Sequence, residues 1–366
     1  MITTLEEFEL TNNTLETLGW SSFYNQSGES YIKEGFTFGR VALEHKHMYR
    51  LYTEQGDLLA EITGKLRHLA DGREDYPAVG DWVAISARPL EGRASIHGIL
   101  SRKSKFSRKV AGSIPDEQIV AANVDSIFLV NALNNDFNIR RLERYLILAW
   151  ESGAQPVIIL SKSDLCSDID SKIAEVESVA IGVPILVISS LVDEGMDQLA
   201  PYLAQGQTVA LLGSSGAGKS SIVNRLSGQT MMDVQEVREG DDRGRHTTTH
   251  RELVMLPNGG MIIDTPGMRE LGLWDGESGI QEAFEDIETY AEQCRFSDCL
   301  HKNEPGCAIR AAIRDGSITQ ERYNSYLKLQ KEIAFLERKT NRQARAAEKD
   351  RWKKITQSVK ASKRKI

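Results

Sequence analysis

The chain has 366 residues, 40% of them apolar and 27% charged, and its 45 Lys and Arg against 52 Asp and Glu give a formal net charge of −7. This composition excludes collagen, coiled-coil and disordered proteins, and the length predicts two or three domains. No stretch approaches the roughly 18 apolar residues that span a bilayer, and the acidic start lacks the apolar run of a signal peptide. We therefore expect a cytoplasmic protein that does not engage a membrane.

The mild net charge conceals a strongly basic segment. Residues 338–366 hold 12 Lys and Arg but only 2 Asp and Glu, a formal charge of +10, whereas the other 337 residues carry −17. Such asymmetry predicts a C-terminal helix or tail that binds polyanions, although a solubilising charged helix is the alternative.

In chain order, residues 1–35 are polar, show no clear period and are predicted to be a loose N-terminal extension. Residues 36–112 then show short alternations of apolar and polar residues. These lie at Phe38–Leu43, Tyr49–Tyr52, Leu58–Ile62 and Val79–Ile85. Short strands at such spacing predict a small β-barrel, either of the oligonucleotide-binding (OB) type or of the SH3-like type.

The end of this region is basic. The run Arg102–Lys109 places five basic residues around Phe106 and contains no acid. A solvated linker and a nucleic-acid contact both fit this pattern. The position of the run beside a barrel favours the nucleic-acid contact.

Residues 113–285 change to an α/β pattern. Continuous apolar runs indicate strands that are covered on both faces, and residues 139–150 have helical spacing. The runs lie at 126–130, 156–160, 183–188, 208–212 and 261–263. Strands that alternate with helices predict a parallel sheet. Residues 286–337 are predicted to form a separate, mainly helical domain.

A phosphate-binding pattern, G-x-x-x-x-G-K-[ST], stands between an apolar strand and a helical run, which is the context that the pattern requires. Glycines let backbone N–H groups approach phosphates at a helix N-terminus. Lys219 is predicted to reach the β- and γ-phosphates, and Ser220 to hold Mg²⁺. The pattern comprises Gly213, Ser214, Ser215, Gly216, Ala217, Gly218, Lys219 and Ser220.

Two later segments carry further candidate ligands for Mg²⁺ and the γ-phosphate. Asp264 follows the strand 261–263 and can join the Mg²⁺ shell, while Gly267 can donate its N–H to the γ-phosphate. Between them and the phosphate loop lies a Thr run in which Thr248 can complete the Mg²⁺ shell from a mobile loop. An edge strand is the alternative interpretation of that run.

A candidate base-recognition motif, Ser161-Lys162-Ser163-Asp164, ends the strand 156–160. The Asp164 carboxylate can accept hydrogen bonds from N1–H and the 2-amino group of guanine, a pair of donors that adenine lacks. The stem of Lys162 can cover the base. Ser189 and Ser190, after the next strand, resemble the short element that touches the guanine carbonyl. Alone, each segment could be an ordinary polar turn.

The order of these motifs is unusual. Base recognition precedes the phosphate loop, the Thr run and Asp264, whereas ordinary GTPases run from the phosphate loop to the base motif. The chain therefore resembles a circularly permuted GTPase.

Three cysteines and one histidine lie within fourteen residues. This spacing suits a closed, tetrahedral Zn²⁺ site, and clustered cysteines in a cytosolic protein more often bind metal than form disulfides. An oxidised pair or free thiols are the alternative. The predicted ligands are Cys294, Cys299, His301 and Cys307.

The barrel, permuted GTPase motifs and Cys₃His cluster together resemble the ribosome small subunit-dependent GTPase A family, RsgA, also called YjeQ or YloQ. Supporting stretches are Pro77–Val83, Arg102–Arg108, Ala121–Asp125, Arg140–Tyr145 and Gly244–Thr249. The resemblance implies an N-terminal OB-fold, a central permuted GTPase domain and a C-terminal zinc domain. It also implies Mg²⁺-dependent hydrolysis of GTP to GDP, stimulated by the 30S subunit during late maturation, with contact to 16S rRNA. We expect a monomer.

Carried onto this chain, the resemblance extends the phosphate site to Ser221 and retains the guanine and zinc ligands named above. Ser161 departs from the usual Asn or Thr of the family, so its contact with guanine N7 is in doubt. Met268 stands where Ras-like enzymes place a water-orienting Gln, so intrinsic hydrolysis should be slow. The resemblance suggests His246 as the catalytic replacement, and a merely solvated side chain is the alternative.

Two other functions remain open at the level of sequence. An rRNA-binding scaffold with a degenerate nucleotide site would share the basic segments, but the intact Gly218-Lys219-Ser220 and Asp164 argue against it. A P-loop ATPase would share the phosphate loop, and it would require that Asp164 has no influence on base preference.

Overall fold

The computed structural model describes residues 14–45, 48–110, 116–228, 251–264 and 277–334. Within these ranges the chain forms a β-barrel, an α/β domain and a helical lobe, in that order. None of the helices within these ranges has the length and apolar character that crossing a membrane requires.

The segment before the barrel is ordered and packed. Helix α1 spans Ser22–Lys33, and Leu18 and Tyr24 are buried. Trp20 meets Trp82 of the barrel edge-on, with ring centroids 5.0 Å apart. The expectation of a loose extension is therefore wrong for residues 14–35, because a few large aromatic side chains anchor the segment without a helical period. Residues 1–13 lie outside the described ranges.

The barrel contains five strands in a closed order, β1-β2-β3-β5-β4, with β4 returning to pair with β1. All neighbours are antiparallel except β3 and β5. This closure confirms the predicted small β-barrel and the OB-fold that the family resemblance implies, a fold that leaves few free strand edges. Helix α2, Gly64–Leu69, connects β3 to β4. The strands are β1 Thr37–His45, β2 Met48–Thr53, β3 Gly56–Ile62, β4 Trp82–Arg88 and β5 Arg93–Ile99.

The fourth strand begins three residues later than predicted. Val79, Gly80 and Asp81 form a turn ahead of Trp82. Gly80 has φ +92°, and a Cβ atom there would lie 2.1 Å from the carbonyl oxygen of Ala122. The apolar run therefore continues through a turn that only glycine permits.

The basic run Arg102–Lys109 leads into a two-stranded hairpin, β6 (Lys105–Val110) and β7 (Asp116–Ala122). Each of the three basic side chains of this run that the structure describes has an acidic partner within the protein. Arg102 donates to both carboxylate oxygens of the buried Asp81, at 2.8 and 2.7 Å.

Lys103 pairs with Asp125 at 2.7 Å, and Lys105 pairs with Glu117 at 3.1 Å. These pairs make much of the run a structural element instead of a free linker. The predicted domain boundary between 112 and 113 falls in the connection between the two strands of the hairpin.

The α/β domain carries six strands in the order β10-β9-β8-β11-β13-β12, and all pairs are parallel except β13 with β12. Buried side chains cover both faces of the sheet. This arrangement confirms the predicted parallel sheet. The strands are β8 Ser126–Ala132, β9 Gln155–Ser161, β10 Ile185–Val187, β11 Thr208–Gly213, β12 Glu252–Met255 and β13 Met261–Asp264.

The helices of this domain flank the sheet. They are α3 Ile139–Ser152, α4 Ile169–Glu177 and α5 Lys219–Ser227, with a 3₁₀ helix at Met196–Leu203. Strand β12 also pairs with β1 of the barrel, where Leu43 lies opposite Glu252. The barrel and the α/β domain therefore share one continuous sheet of eleven strands.

The helical lobe follows the α/β domain. It consists of α6 Glu277–Ala283, α7 Glu285–Glu292, α8 Ala308–Asp315 and a helix over residues 320–334, here α9. Helix α6 packs on α3. The predicted basic tail, 338–366, lies outside the described ranges.

Candidate nucleotide site and metal cluster

The predicted nucleotide-binding segments meet at one edge of the parallel sheet. Strands β9, β8, β11 and β13 run in the same direction and end at Ser161, Ala132, Gly213 and Asp264. The base motif follows β9, and the phosphate loop follows β11. Ligands of open α/β sheets bind at the carboxyl ends of the strands, so this edge is the candidate site.

The phosphate loop joins β11 to α5. Gly216 and Gly218 adopt φ of +75° and +91°, which side chains other than glycine rarely tolerate. Gly218 directly precedes the first residue of α5, Lys219. The loop therefore delivers its backbone N–H groups and the positive end of the helix dipole to the same space, as an anion site requires.

The Lys219 ammonium lies across this loop. Its Nζ atom donates to the carbonyl oxygens of Gly213 at 2.8 Å and Ser214 at 2.7 Å. The ammonium is therefore bound by the carbonyls of the loop itself in this structure. Ser215, Ser220 and Ser221 stand half-buried along the same loop and the start of α5.

The base motif is tied to the phosphate loop by Ser161. This side chain is buried, and its hydroxyl donates to the carbonyl oxygen of Ala217 at 2.7 Å. Lys162 adopts the left-handed conformation with φ +59°, which starts a 3₁₀ turn over Ser163–Leu165. The Ser161 hydroxyl therefore bridges the two motifs in this structure.

Asp164 lies exposed in the middle of the same turn and accepts a hydrogen bond from the Ser189 hydroxyl. Ser189 is fully buried, and its backbone pairs with that of Glu194 in an isolated bridge. The two predicted base-recognition segments are therefore adjacent, with Ser190 half-buried next to them.

Some predicted residues lie outside the described ranges. These are Thr248 and His246 of the Thr run, together with Gly267 and Met268 after Asp264. The backbone of Asp264 ends β13 at the sheet edge and lies opposite Glu252 of β12.

Sequence reasoning missed two contacts that hold this edge together. Arg225 of α5 pairs with Asp193 of the loop after Ser190. Asp136, in the turn after β8, accepts a hydrogen bond from the hydroxyl of Ser214. The only sequence signal for the second is its place beside Asn138, which caps α3.

The predicted Cys₃His residues converge in the helical lobe. One ligand atom from each of Cys294, Cys299, His301 and Cys307 lies within 4.8 Å of every other. The Sγ atoms of Cys294 and Cys307 are 3.9 Å apart, and each lies 3.5 Å from Nδ1 of His301.

Such separations fit one metal ion. Tetrahedral zinc–sulfur bonds of about 2.3 Å place two sulfurs about 3.8 Å apart. Burial alone would raise the pKa of the Cys294 thiol, but hydrogen bonds from the backbone N–H groups of Ala308 and Ile309 outweigh it and lower the pKa. Burial raises the pKa of the neighbouring Cys299 thiol to about 11. The four side chains could hold a metal ion, because a bound metal displaces the protons of its thiol ligands.

Comparison with known proteins gives consistent results. The family model described as RsgA GTPase matches residues 99–274. A protein of Opitutus terrae named small ribosomal subunit biogenesis GTPase RsgA is 46% identical, over 96% of this chain and 98% of its own length. Another of Oceanobacillus iheyensis, named small ribosomal subunit biogenesis GTPase RsgA 1, is 47% identical, over 88% of this chain and 92% of its own length.

Solved structures agree with the sequence relatives. YjeQ from Thermotoga maritima superimposes with a TM-score of 0.62 at 28% identity, covering 82% of this chain and 99% of its own. YloQ, described as a circularly permuted GTPase, superimposes with a TM-score of 0.60 at 25% identity, covering 82% of this chain and 95% of its own. With its closed barrel, permuted sheet and Cys₃His cluster, the chain belongs to the RsgA family of circularly permuted GTPases.

Proposed function

We propose that this protein binds the small (30S) ribosomal subunit and acts in its late maturation, hydrolysing GTP to GDP and phosphate at a rate that the subunit stimulates. The observation that carries the proposal is the meeting of the phosphate loop and the base motif at one sheet edge, in a member of a family whose named relatives act in small-subunit biogenesis. We also propose that the protein is a monomer, that it is cytoplasmic and that it contacts 16S rRNA.

The phosphate end of the proposed site depends on Lys219. Its ammonium leaves the two loop carbonyls, 2.7 and 2.8 Å away, and binds the β- and γ-phosphates. Ser220, at the start of α5, and Asp264, at the end of β13, would hold Mg²⁺, with Thr248 as a further protein ligand. Mg²⁺ supplies charge neutralisation between the phosphates when bound.

At the base end, Asp164 selects guanine. Its carboxylate is exposed and already accepts one hydrogen bond, from Ser189, so it retains acceptor capacity for two donors of the base. The hydroxyl of Ser161 is used by Ala217, which argues that this position serves the loop and not guanine N7.

Catalysis requires a group that orients water, and Met268 has no polar atom for that task. We propose His246 for this role. If it acts so, His246→Ala lowers the turnover that is stimulated by 30S subunits and leaves the affinity for GDP unchanged; equal stimulated turnover would exclude the role.

For the Cys₃His cluster we propose one structural Zn²⁺. Three sulfurs and one imidazole nitrogen within 4.8 Å of one another match the softness and size of that ion. Metal analysis of the purified protein should give about one zinc per chain. Cys307→Ser should lose that metal, and a chain purified without zinc would contradict the assignment.

The proposed division of the chain places the OB-fold at 36–112, the GTPase domain at 113–285, the zinc domain at 286–337 and the basic tail at 338–366. We propose that this tail follows the rRNA backbone, since Lys and Arg that neutralise phosphates give affinity that falls steeply with salt.

Base preference tests the nucleotide site most selectively. Asp164→Asn replaces one acceptor oxygen with an N–H₂ donor, so it should weaken GDP binding about 100-fold, as expected for two charge-assisted hydrogen bonds. The same variant should improve binding of xanthosine diphosphate, whose 2-oxo group accepts from the new amide. Unchanged preference among GDP, ADP and xanthosine diphosphate would contradict the proposal. The matched control is Asp168→Asn, which makes the same change at an exposed carboxylate that caps α4.

A further inference from the structure

The phosphate loop is held from outside by an ion pair that belongs to none of its motifs. Asp136 lies in the turn between β8 and α3, and its Oδ2 atom accepts a hydrogen bond from the Ser214 hydroxyl. Ser214 is the second residue of the phosphate loop. This contact joins two segments that are 78 residues apart in the chain.

Asp136 is itself held by Arg141 of the first turn of α3. The guanidinium donates to Oδ1 at 3.1 Å and to Oδ2 at 2.8 Å, and it also reaches the backbone carbonyl of Asp136. Such two-point pairing of a guanidinium with a carboxylate fixes orientation as well as distance. Both side chains are about one-quarter exposed.

The turn that presents Asp136 is closed by its own hydrogen bonds. The Asp136 N–H donates to Oδ1 of Asn134 at 3.0 Å, and the Phe137 N–H donates to the Asn134 carbonyl at 2.9 Å. Asn138 then accepts from the N–H of Arg141 at 3.0 Å and caps α3. The carboxylate therefore reaches the phosphate loop from a support that is itself hydrogen-bonded in place.

Ser214 is thus held at two points. Its hydroxyl is bound by Asp136, and its carbonyl accepts from Lys219 at 2.7 Å. Once Lys219 turns to a phosphate, only the hydroxyl contact remains of these two. A bare carboxylate near a polyphosphate would repel it, and the guanidinium of Arg141 compensates that charge.

We propose that Asp136 and Arg141 are positioning residues that hold the phosphate loop, through Ser214, in the conformation that receives the phosphates of a guanine nucleotide. This inference rests on the proposed function, because it assumes that the loop binds GDP and GTP. The pair touches neither phosphate; it acts by lowering the reorganisation that the loop undergoes on binding.

The test measures the dissociation constant of a fluorescent GDP analogue and the Michaelis parameters for GTP with 30S subunits present. Ser214→Ala removes the hydroxyl alone and should weaken GDP binding about tenfold, as expected for a hydrogen bond to a charged acceptor. Asp136→Ala should weaken it by at least as much. Ser214→Thr keeps the hydroxyl and should bind GDP within about threefold of the parent.

A double-mutant cycle separates positioning from general destabilisation. If the two residues act through one contact, Ser214→Ala combined with Asp136→Ala should be about as weak as Asp136→Ala alone. The KM for GTP should rise with kcat nearly unchanged. Arg88→Ala, which breaks an exposed pair with Glu91 in the barrel, is the matched control and should change neither quantity.

The outcomes are distinct. GDP binding by Ser214→Ala within twofold of the parent, or multiplicative effects in the cycle, would overturn the positioning role. Ser214→Ala is a small change, so it provides this result even if Asp136→Ala fails to fold. Failure of the parent protein to bind GDP would instead overturn the proposed function on which the inference rests.

Discussion

The α/β domain meets the barrel on one side and the helical lobe on the other, and the two junctions are built on different chemistry. At the barrel junction the main contacts involve backbone groups. Strand β1 continues the sheet through β12, and the Tyr52 hydroxyl donates to the carbonyl of Leu253 at 3.1 Å. At the lobe junction, an apolar core shared by α3 and the lobe surrounds a set of contacts between charged side chains.

Arg40 shows the principle of the barrel junction. It is 1% exposed, and its guanidinium donates to the carbonyls of Leu18 at 2.6 Å, Gly80 at 3.3 Å and Asn123 at 3.0 Å. Burial lowers the pKa of this guanidinium below its usual value. One side chain therefore ties the N-terminal segment, the barrel and the α/β domain through backbone oxygens.

Glu143 shows the principle of the lobe junction. Its fully buried carboxylate, on α3, accepts from Arg140 at 3.0 Å, from Arg322 of α9 at 3.0 Å and from the Ser325 hydroxyl. Arg322 also pairs with Asp286 at 2.9 Å and lies over the ring of Phe284. Within the apolar core of this junction, opposite charges are therefore matched pairwise.

The difference between the two junctions predicts that removing a charged side chain lowers the stability of the protein by different amounts. A guanidinium whose partners are carbonyls leaves neutral groups behind when it is removed. A carboxylate shared by two guanidinium groups leaves charges behind, which is the more costly situation in a protein interior.

The largest effect is expected at the lobe junction. Glu143→Ala leaves Arg322 and Arg140 without their shared carboxylate and should lower the free energy of unfolding by about 3–5 kcal/mol. Urea denaturation measures this change. Glu332→Ala breaks a partly exposed pair with Arg144 between the same two helices and should cost about 1 kcal/mol or less. Equal losses of unfolding free energy in Glu143→Ala and Glu332→Ala would contradict the expectation that the buried carboxylate matters more.

A smaller effect is expected at the barrel junction. Arg40→Met keeps much of the side-chain volume but removes the donors to three buried carbonyls, so a loss of about 2–3 kcal/mol is expected in the same denaturation experiment. A loss greater than that of Glu143→Ala would show that the guanidinium charge itself stabilises this junction.

The smallest effect is expected for Arg50, whose guanidinium reaches Glu252 across the β1–β12 pairing. Both side chains are one-third or more exposed, so Arg50→Ala should change the free energy of unfolding by about 1 kcal/mol or less. Arg93→Ala, which breaks an exposed pair with Glu61 inside the barrel, is the reference. A loss of several kcal/mol for Arg50→Ala alone would mean that this ion pair, and not the strand pairing, holds the junction.

These junctions also show where reasoning from sequence stops. The metal ligands and the phosphate loop lie within short segments, so spacing alone predicted which residues come together. The partners of Arg40 and Glu143 lie far away in the sequence. Arg322 is 179 residues from Glu143, and Asn123 is 83 residues from Arg40. Nothing local distinguishes these side chains from solvated ones before the sheet and helices are in place.

The N-terminal segment and the basic run contain two further contacts of this kind. Residues 14–35 show no clear period, because their burial depends on single aromatic side chains such as Trp20. The positive charge of Arg102 suggested a partner outside the protein, yet the buried Asp81 provides one inside it.

The proposed function is tested most directly by the rate of GTP hydrolysis with and without purified 30S subunits, with Lys219→Ala as the variant that removes the phosphate ligand. We expect slow turnover by the protein alone and an increase of at least about tenfold with the subunits, equal to about 1.4 kcal/mol of activation free energy. Lys219→Ala should abolish the increase. A rate that is the same with and without 30S subunits would contradict the proposal.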